Sequence, residues 1–113
     1  MAPLIRGALL EYRGPDDAGR LHALRVGRNL IGRDEGCDVR LEDGKVSGSH
    51  GFLFLRPLDA TFVDTSTNGS KVDGKALLGE QVVVSHGAVL ELGGTRLVLL
   101  FVDESVTAKL GIK

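Results

Sequence analysis

What this chain has little of narrows its possibilities before any motif is read. Cysteine occurs once among 113 residues, as Cys37, so no disulfide can form within the chain, and a reducing compartment suits it as well as any other. Neither sign of charge dominates: 14 Lys and Arg against 15 Asp and Glu leave a formal net charge of −1. Without a general positive field a nucleic acid or an anionic membrane has nothing to hold it, and any anion site must be local. No apolar run approaches the roughly 18 residues of a membrane helix. The first ten residues carry Pro3 and Arg6 and lack both a secretory apolar core and an evident A-x-A cleavage site, so a cytoplasmic, intracellular location is expected. Metal-ligand spacing is missing as well. His22, His50 and His86 are scattered and the cysteine is alone, so no metal and no cofactor are expected. The stretch from Gly27-Arg28 to Gly32-Arg33 is not a phosphate-loop pattern followed by a helix, which argues against nucleotide binding.

Glycine is plentiful, with 16 residues, and turn-prone pairs such as Gly14-Pro15, Asp43-Gly44, Asn68-Gly69, Asp73-Gly74 and Gly93-Gly94 cut the chain into pieces too short for ordinary helices. Short strands fill those pieces: 8–12, 21–26, 29–31, 39–41, 51–55, 61–63, 81–84, 88–92 and 96–102. Many strands at short intervals predict an all-β sandwich or barrel. Gly93-Gly94 is expected to close one hairpin, and Asn68-Gly69 and Asp73-Gly74 to flank Ser70 to Val72 as tight corners. Leu97 to Val102 is apolar throughout, so either both faces of that strand are covered or one is an exposed patch with a partner. A single domain over 1–113 is expected, with its core at about 8–102 and a short tail at 103–113 that could begin a helix capped by Asp103. Asp16-Asp17 reads as a surface loop, His22 and His86 as surface or strand-edge residues, and Cys37 as a small buried apolar side chain.

Three polar clusters stand out in order: Gly32-Arg33, Ser47-Gly48-Ser49-His50, and Asp64-Thr65-Ser66-Thr67-Asn68-Gly69. Together they supply a guanidinium, several hydroxyls, an amide and turn-forming glycines, an inventory that suits a phosphate monoester. A phosphorylated side chain carries about −1.5 to −2 charges and three acceptor oxygens. Arg33 can pair two of them at once and never loses its charge, while Gly32 lets backbone pass close by. In this order and spacing the clusters resemble the signature of the forkhead-associated (FHA) domain, over about Leu24 to Phe101. Arg-based readers of phosphorylated motifs include this family.

The resemblance implies a β-sandwich of two twisted, mainly antiparallel sheets with about ten or eleven short strands and the binding loops at one end. It implies a phosphothreonine-dependent protein-interaction module, an adaptor or scaffold downstream of a Ser/Thr protein kinase, monomeric or self-associating, and not an enzyme. Carried over residue by residue, Arg33, Ser47 and Thr67 contact phosphate and Asn68 grips the ligand's main chain. Gly32, His50 and Gly69 hold the loops. The family commonly has Arg, Asn or Lys after the first serine, where this chain has Gly48; one phosphate donor is therefore absent and weaker binding is expected. Ser70 and Asp73 replace frequent Thr and Asn. Lys45 either compensates, reads an acidic side chain downstream of the phosphothreonine, or is a solvated loop residue.

Two other readings use the same residues. In the first, the fold serves phospho-independent association or self-assembly through the apolar runs 82–84 and 97–102. Alternatively Ser47 or Ser49, His50 and Asp64 would form a hydrolytic triad, against which stand the adjacency of Ser49 and His50 and the missing G-x-S-x-G elbow. Thr107 in the tail, once phosphorylated by a kinase, would offer a ligand to the site of a neighbouring copy.

Overall fold

The computed structural model of the protein describes residues 5–57 and 59–103. Eleven strands run through them: β1 (Ile5–Tyr12), β2 (Arg20–Ala23), β3 (Gly27–Gly32), β4 (Val39–Arg40), β5 (Gly51–Leu55), β6 (Ala60–Asp64), β7 (Ser70–Val72), β8 (Lys75–Leu77), β9 (Gln81–Val84), β10 (Val89–Leu92) and β11 (Thr95–Asp103). They form a six-stranded sheet, β2-β1-β11-β10-β7-β8, and a five-stranded sheet, β4-β3-β5-β6-β9. All neighbours are antiparallel except β3 and β4, which pair in parallel. The fold is thus an all-β sandwich.

The pleat explains which residues meet between the sheets, because successive side chains of a strand point to opposite faces. Leu53 and Leu55 of β5, Ala60 and Phe62 of β6, Leu90 and Leu92 of β10, and Leu97 and Leu99 of β11 are all buried. Full burial of a Leu or Phe side chain stabilises by roughly 1.5–3 kcal/mol, so this alternating set fixes strand register. β11 pairs with β1 along its whole length, from Ile5 opposite Asp103 to Tyr12 opposite Arg96. The apolar run 97–102 therefore splits between the two faces of its sheet, Leu97 and Leu99 inward, Val98 and Leu100 half-buried on the outer face. In the run 82–84, Val84 is buried and Val83 is 64% exposed on an edge strand.

Several expectations need correction. Asn68-Gly69 is not a hairpin corner: β6 and β7 lie in different sheets, so residues 65–69 cross from one to the other. Asp73-Gly74 does close a hairpin, β7 to β8, with both residues at positive φ (49° and 84°). The strand expected over 21–26 spans Arg20–Ala23, and β8 has no counterpart among the expected strands. Cys37 is half-buried, and its thiol donates to the Gly48 carbonyl at 3.3 Å. Burial pushes that thiol's pKa up, consistent with an unreactive group. As expected, His22 sits on the edge strand β2, where it lies 2.7 Å from the Glu11 carboxylate, and His86 is exposed, accepting a hydrogen bond from the Phe101 amide at 2.9 Å. Asp103 ends β11; the rest of the expected tail helix and Thr107 lie outside the described residues.

Candidate functional site

Four connections converge at one end of the sandwich: 33–38 after β3, 41–50 before β5, 65–69 after β6, and the β10–β11 turn. Main-chain bonds join them. The Arg33 amide donates to the Ser47 carbonyl at 3.1 Å, the Asp34 amide to Gly48 at 3.1 Å, and the Thr65 amide to His50 at 3.0 Å. The first two bonds require Gly32. A Cβ there would stand 2.2 Å from the Gly48 oxygen and 3.0 Å from the His50 nitrogen, so any side chain would push the 41–50 loop away.

Beneath these loops lies a buried polar chain. His50 is 2% exposed. Its Nδ1 accepts the Ser47 amide at 3.1 Å, which puts the ring proton on Nε2, 3.1 Å from the Gly69 carbonyl and 3.0 Å from Ser70 Oγ. Ser70 Oγ donates to Asp64 Oδ1 at 2.6 Å, Ser66 Oγ donates to the same oxygen at 2.7 Å, and the Gly79 amide donates to Oδ2 at 2.9 Å. The Gly69 amide in turn donates to Ser66 Oγ at 2.8 Å. Burial lowers the His50 pKa, outweighing the nearby Gly69 carbonyl and Asp64, and keeps the ring neutral. For Asp64 burial pushes the other way, but the donors from Ser70, Gly79 and Ser66 hold its carboxyl below the usual carboxylate range. Every buried side-chain nitrogen and oxygen among the described residues has a partner.

A second carboxylate ties in the far loop. Asp43 accepts from the Lys45 amide at 2.9 Å, the Gly94 amide at 2.8 Å and Thr95 Oγ1 at 2.9 Å. Burial opposes its ionisation, yet those donors hold its pKa below the ordinary value. Lys45 is thereby fixed against the β10–β11 turn, where a Cβ on Gly93 would come within 2.9 Å of Lys45 Cβ.

These loops border an open cleft of about 810 Å³ whose lining includes Arg33, Lys45, Ser47, Thr67, Asn68 and Lys71. The structure therefore gathers Arg33, Ser47, Thr67, Asn68 and Lys45 at one surface, and Gly69 borders it too. His50 lies below. Arg33 Nε donates to the Val46 carbonyl at 3.0 Å, which aims the guanidinium and leaves its Nη groups unspent among the described residues. Ser47 Oγ accepts the Thr67 amide at 3.3 Å, so its own proton is available. The side-chain donors of Thr67, Asn68, Lys45 and Lys71 are likewise not taken by other described groups. A layer of satisfied donors thus carries a layer of unspent ones, which is the pattern of a preformed anion site.

Asp64, Ser66, Ser70 and Asp43 were not among the expected supporting residues. The one available signal was the density of hydroxyls and carboxylates in 64–70, whose short side chains bond readily to nearby backbone. As a hydrolytic triad the arrangement fails on geometry: both ring nitrogens of His50 are engaged by Ser47 N and by Gly69 O with Ser70 Oγ, leaving neither for the Ser47 or Ser49 hydroxyl. Among the described residues there is no group of three or more His, Cys, Asp or Glu able to hold a metal, and no helix long and apolar enough to cross a membrane.

Comparison with known proteins points the same way. No curated protein sequence matches the chain. The FhaA FHA domain, solved in complex with the intracellular domain of Rv3910, is 30% identical, covers 82% of this chain and 98% of its own, and superposes with a TM-score of 0.72. An FHA domain solved for its phosphothreonine-dependent interactions is 29% identical over 84% of this chain and 95% of its own, at TM-score 0.74. The FHA domain of CT664 from Chlamydia trachomatis is 25% identical over 84% and 96%, at 0.76. The sequence model of the FHA domain itself matches residues 29–93, a span that opens in β3 just before Arg33 and closes at the turn held by Asp43, and the chain belongs to this family.

Proposed function

We propose that this protein docks phosphothreonine-containing partners, acting as an adaptor or scaffold for the products of a Ser/Thr protein kinase inside the cell. The observation that carries the reading is the set of unspent donors in the cleft, headed by the Arg33 Nη groups. Arg33, Ser47 and Thr67 meet the phosphate; Asn68, whose amide can donate and accept together, meets the peptide main chain. Gly32, His50 and Gly69 keep the loops in register and have no contact with ligand. The 29%-identical relative whose interactions depend on phosphothreonine supports this assignment. No covalent chemistry is involved, and no cofactor.

Binding of a fluorescent phosphothreonine peptide library, set against the same peptides carrying threonine or phosphoserine, tests the reading. Phosphothreonine should bind, threonine should not, and phosphoserine should be much weaker. If Arg33 supplies about 2–3 kcal/mol of net binding, within the range of charge-assisted hydrogen bonds, Arg33→Ala should weaken binding roughly 30- to 150-fold. Equal binding of all three peptides overturns the reading. Partner binding that survives Arg33→Ala would instead favour phosphorylation-independent association.

A further inference from the structure

The cleft is not uniformly basic. Asp34 follows Arg33 directly, and its carboxylate lies where a side chain at position 48 would begin: a Cβ on Gly48 would stand 2.7 Å from Asp34 Oδ2 and 2.8 Å from Oδ1. Gly48 borders the cleft. The Asp34 backbone is pinned there by its amide bond to the Gly48 carbonyl and by the Cys37 amide on its own carbonyl, both 3.1 Å. The carboxylate itself takes no hydrogen bond or ion pair among the described residues, although it is exposed beside Arg33.

Lys71 borders the cleft from the six-stranded sheet, and Lys45, in the loop before β5, borders it where that loop leans on the six-stranded sheet. Lys45 rests on the β10–β11 turn, and Lys71 sits on β7 opposite Glu91 of β10. Glu91 also borders the cleft, but its carboxylate is occupied by Arg96 Nε at 3.2 Å. Neither lysine has an ion-pair partner among the described residues. Among the described residues, the Arg33 end therefore carries the Asp34 and Glu35 carboxylates without ion-pair partners, with Arg40 Nε on the Arg33 carbonyl at 3.2 Å, while Lys45 and Lys71 bring two ammonium groups without ion-pair partners to the part of the cleft along the six-stranded sheet.

We propose that this polarity selects the ligand: the preferred phosphothreonine peptide carries a basic side chain on the Asp34 side of the phosphothreonine and an acidic one on the Lys45–Lys71 side. The inference rests on the phosphothreonine reading and deepens it. Asp34 is a specificity residue because its effect has opposite signs for different ligands. A neighbouring Lys or Arg gains an unpaired acceptor, whereas a peptide with neutral flanks meets only an anion close to its phosphate. Exposed charge pairs are modest, so each preference should amount to about two- to fivefold and shrink in high salt.

The test is selection from a degenerate phosphothreonine peptide library by the full chain, followed by titration of basic-flanked and neutral-flanked peptides. Wild type should enrich Lys or Arg on one side of the phosphothreonine and Asp or Glu on the other. Asp34→Asn should weaken the basic-flanked peptide and strengthen the neutral one, each about two- to fivefold, with phosphothreonine still required. Lys45→Gln with Lys71→Gln should erase only the acidic enrichment. Retention of the library without charge selection, or basic enrichment unchanged in Asp34→Asn, overturns this proposal and leaves phosphothreonine binding standing. Failure to retain any phosphothreonine peptide overturns both.

Discussion

Asp64→Ala is the substitution that separates support from contact most sharply. The carboxylate is buried, with none of its side chain exposed to solvent, and it accepts Ser66 and Ser70 through Oδ1 and Gly79 N–H through Oδ2. Truncation leaves the Gly79 amide without an acceptor, at a cost of about 1–3 kcal/mol. The two hydroxyls can turn toward other acceptors, so their loss is partial, and removing a buried charge returns some desolvation energy. A net destabilisation of about 3 kcal/mol follows, a large share of the roughly 5–15 kcal/mol that holds a domain of this size together. At about 4–8 °C per kcal/mol the melting temperature should fall by roughly 12–24 °C. Asp64→Asn makes the argument atom-specific. It keeps an acceptor for the serines but turns an NH2 toward the Gly79 amide, so it should cost about half as much. Circular dichroism melts give the stabilities, and peptide titration well below the melt gives the binding. Affinity should drop as well, because Ser66 and Ser70 hold the 65–69 crossing that presents Thr67 and Asn68. An Asp64→Ala melt within about 2 °C of wild type would refute the reasoning.

Two further outcomes follow from the same geometry. Gly32→Ala forces a methyl to within 2.2 Å of the Gly48 carbonyl; overpacking against backbone costs about 1–3 kcal/mol, and amide shifts in an NMR spectrum should concentrate in 33–34 and 46–50, with weakened peptide binding. Shifts spread evenly over both sheets would contradict this. On acidification, His50 has a folded pKa below its unfolded value of about 6.5, so the unfolded chain takes up that proton first. Stability present above pH 6.5 should decline as pH falls toward the folded value. Asp43 and Asp64, also depressed, contribute above the ordinary carboxylate pKa of about 3.9 and lose that contribution as pH drops through their folded values. Denaturant midpoints from pH 8 to 3 should fall in two stages, and His50→Gln should flatten the first; a variant curve parallel to wild type between pH 5 and 6.5 would disprove the assignment.

Strand positions were legible because alternation and glycine pairs are local signals. β5 and β9 match their expected spans residue for residue, and Arg33, Ser47 and Asn68 do meet at one cleft. What stayed hidden was non-local. Asn68-Gly69 has the composition of a hairpin, but whether flanking strands pair is decided by the sheet each can complete, and here β7 joins β10. Asp64 stood out in its polar cluster, but its role as a structural acceptor was not legible because its three donors come from positions up to 15 residues away. Asp43 reads as part of a turn, although the Gly94 amide it accepts lies 51 residues along. β8 escaped notice because Lys75 and Ala76 are exposed on an edge strand, where no alternation is required of them.

Position 48 shows why a family's loop can keep its shape while its ligand changes. The structural work of Gly48 is done by its carbonyl, which accepts the Asp34 amide at 3.1 Å and the Cys37 thiol at 3.3 Å and lies over Gly32. None of those contacts needs a side chain at 48, so the loop geometry does not constrain what stands there. The side chain that is absent would first have met the Asp34 carboxylate, an exposed group able to swing aside. A larger residue is therefore sterically cheap at 48, whereas at Gly32 it meets backbone. It follows that Gly48→Arg should leave the melting temperature nearly unchanged, pair with Asp34, and add a donor beside Arg33. Binding of a neutral-flanked phosphothreonine peptide should tighten by several-fold, and the preference for a basic neighbour should vanish because its acceptor is then occupied. If Gly48→Arg instead lowers the melt as far as Gly32→Ala does, the separation between backbone role and side-chain role at this loop is wrong.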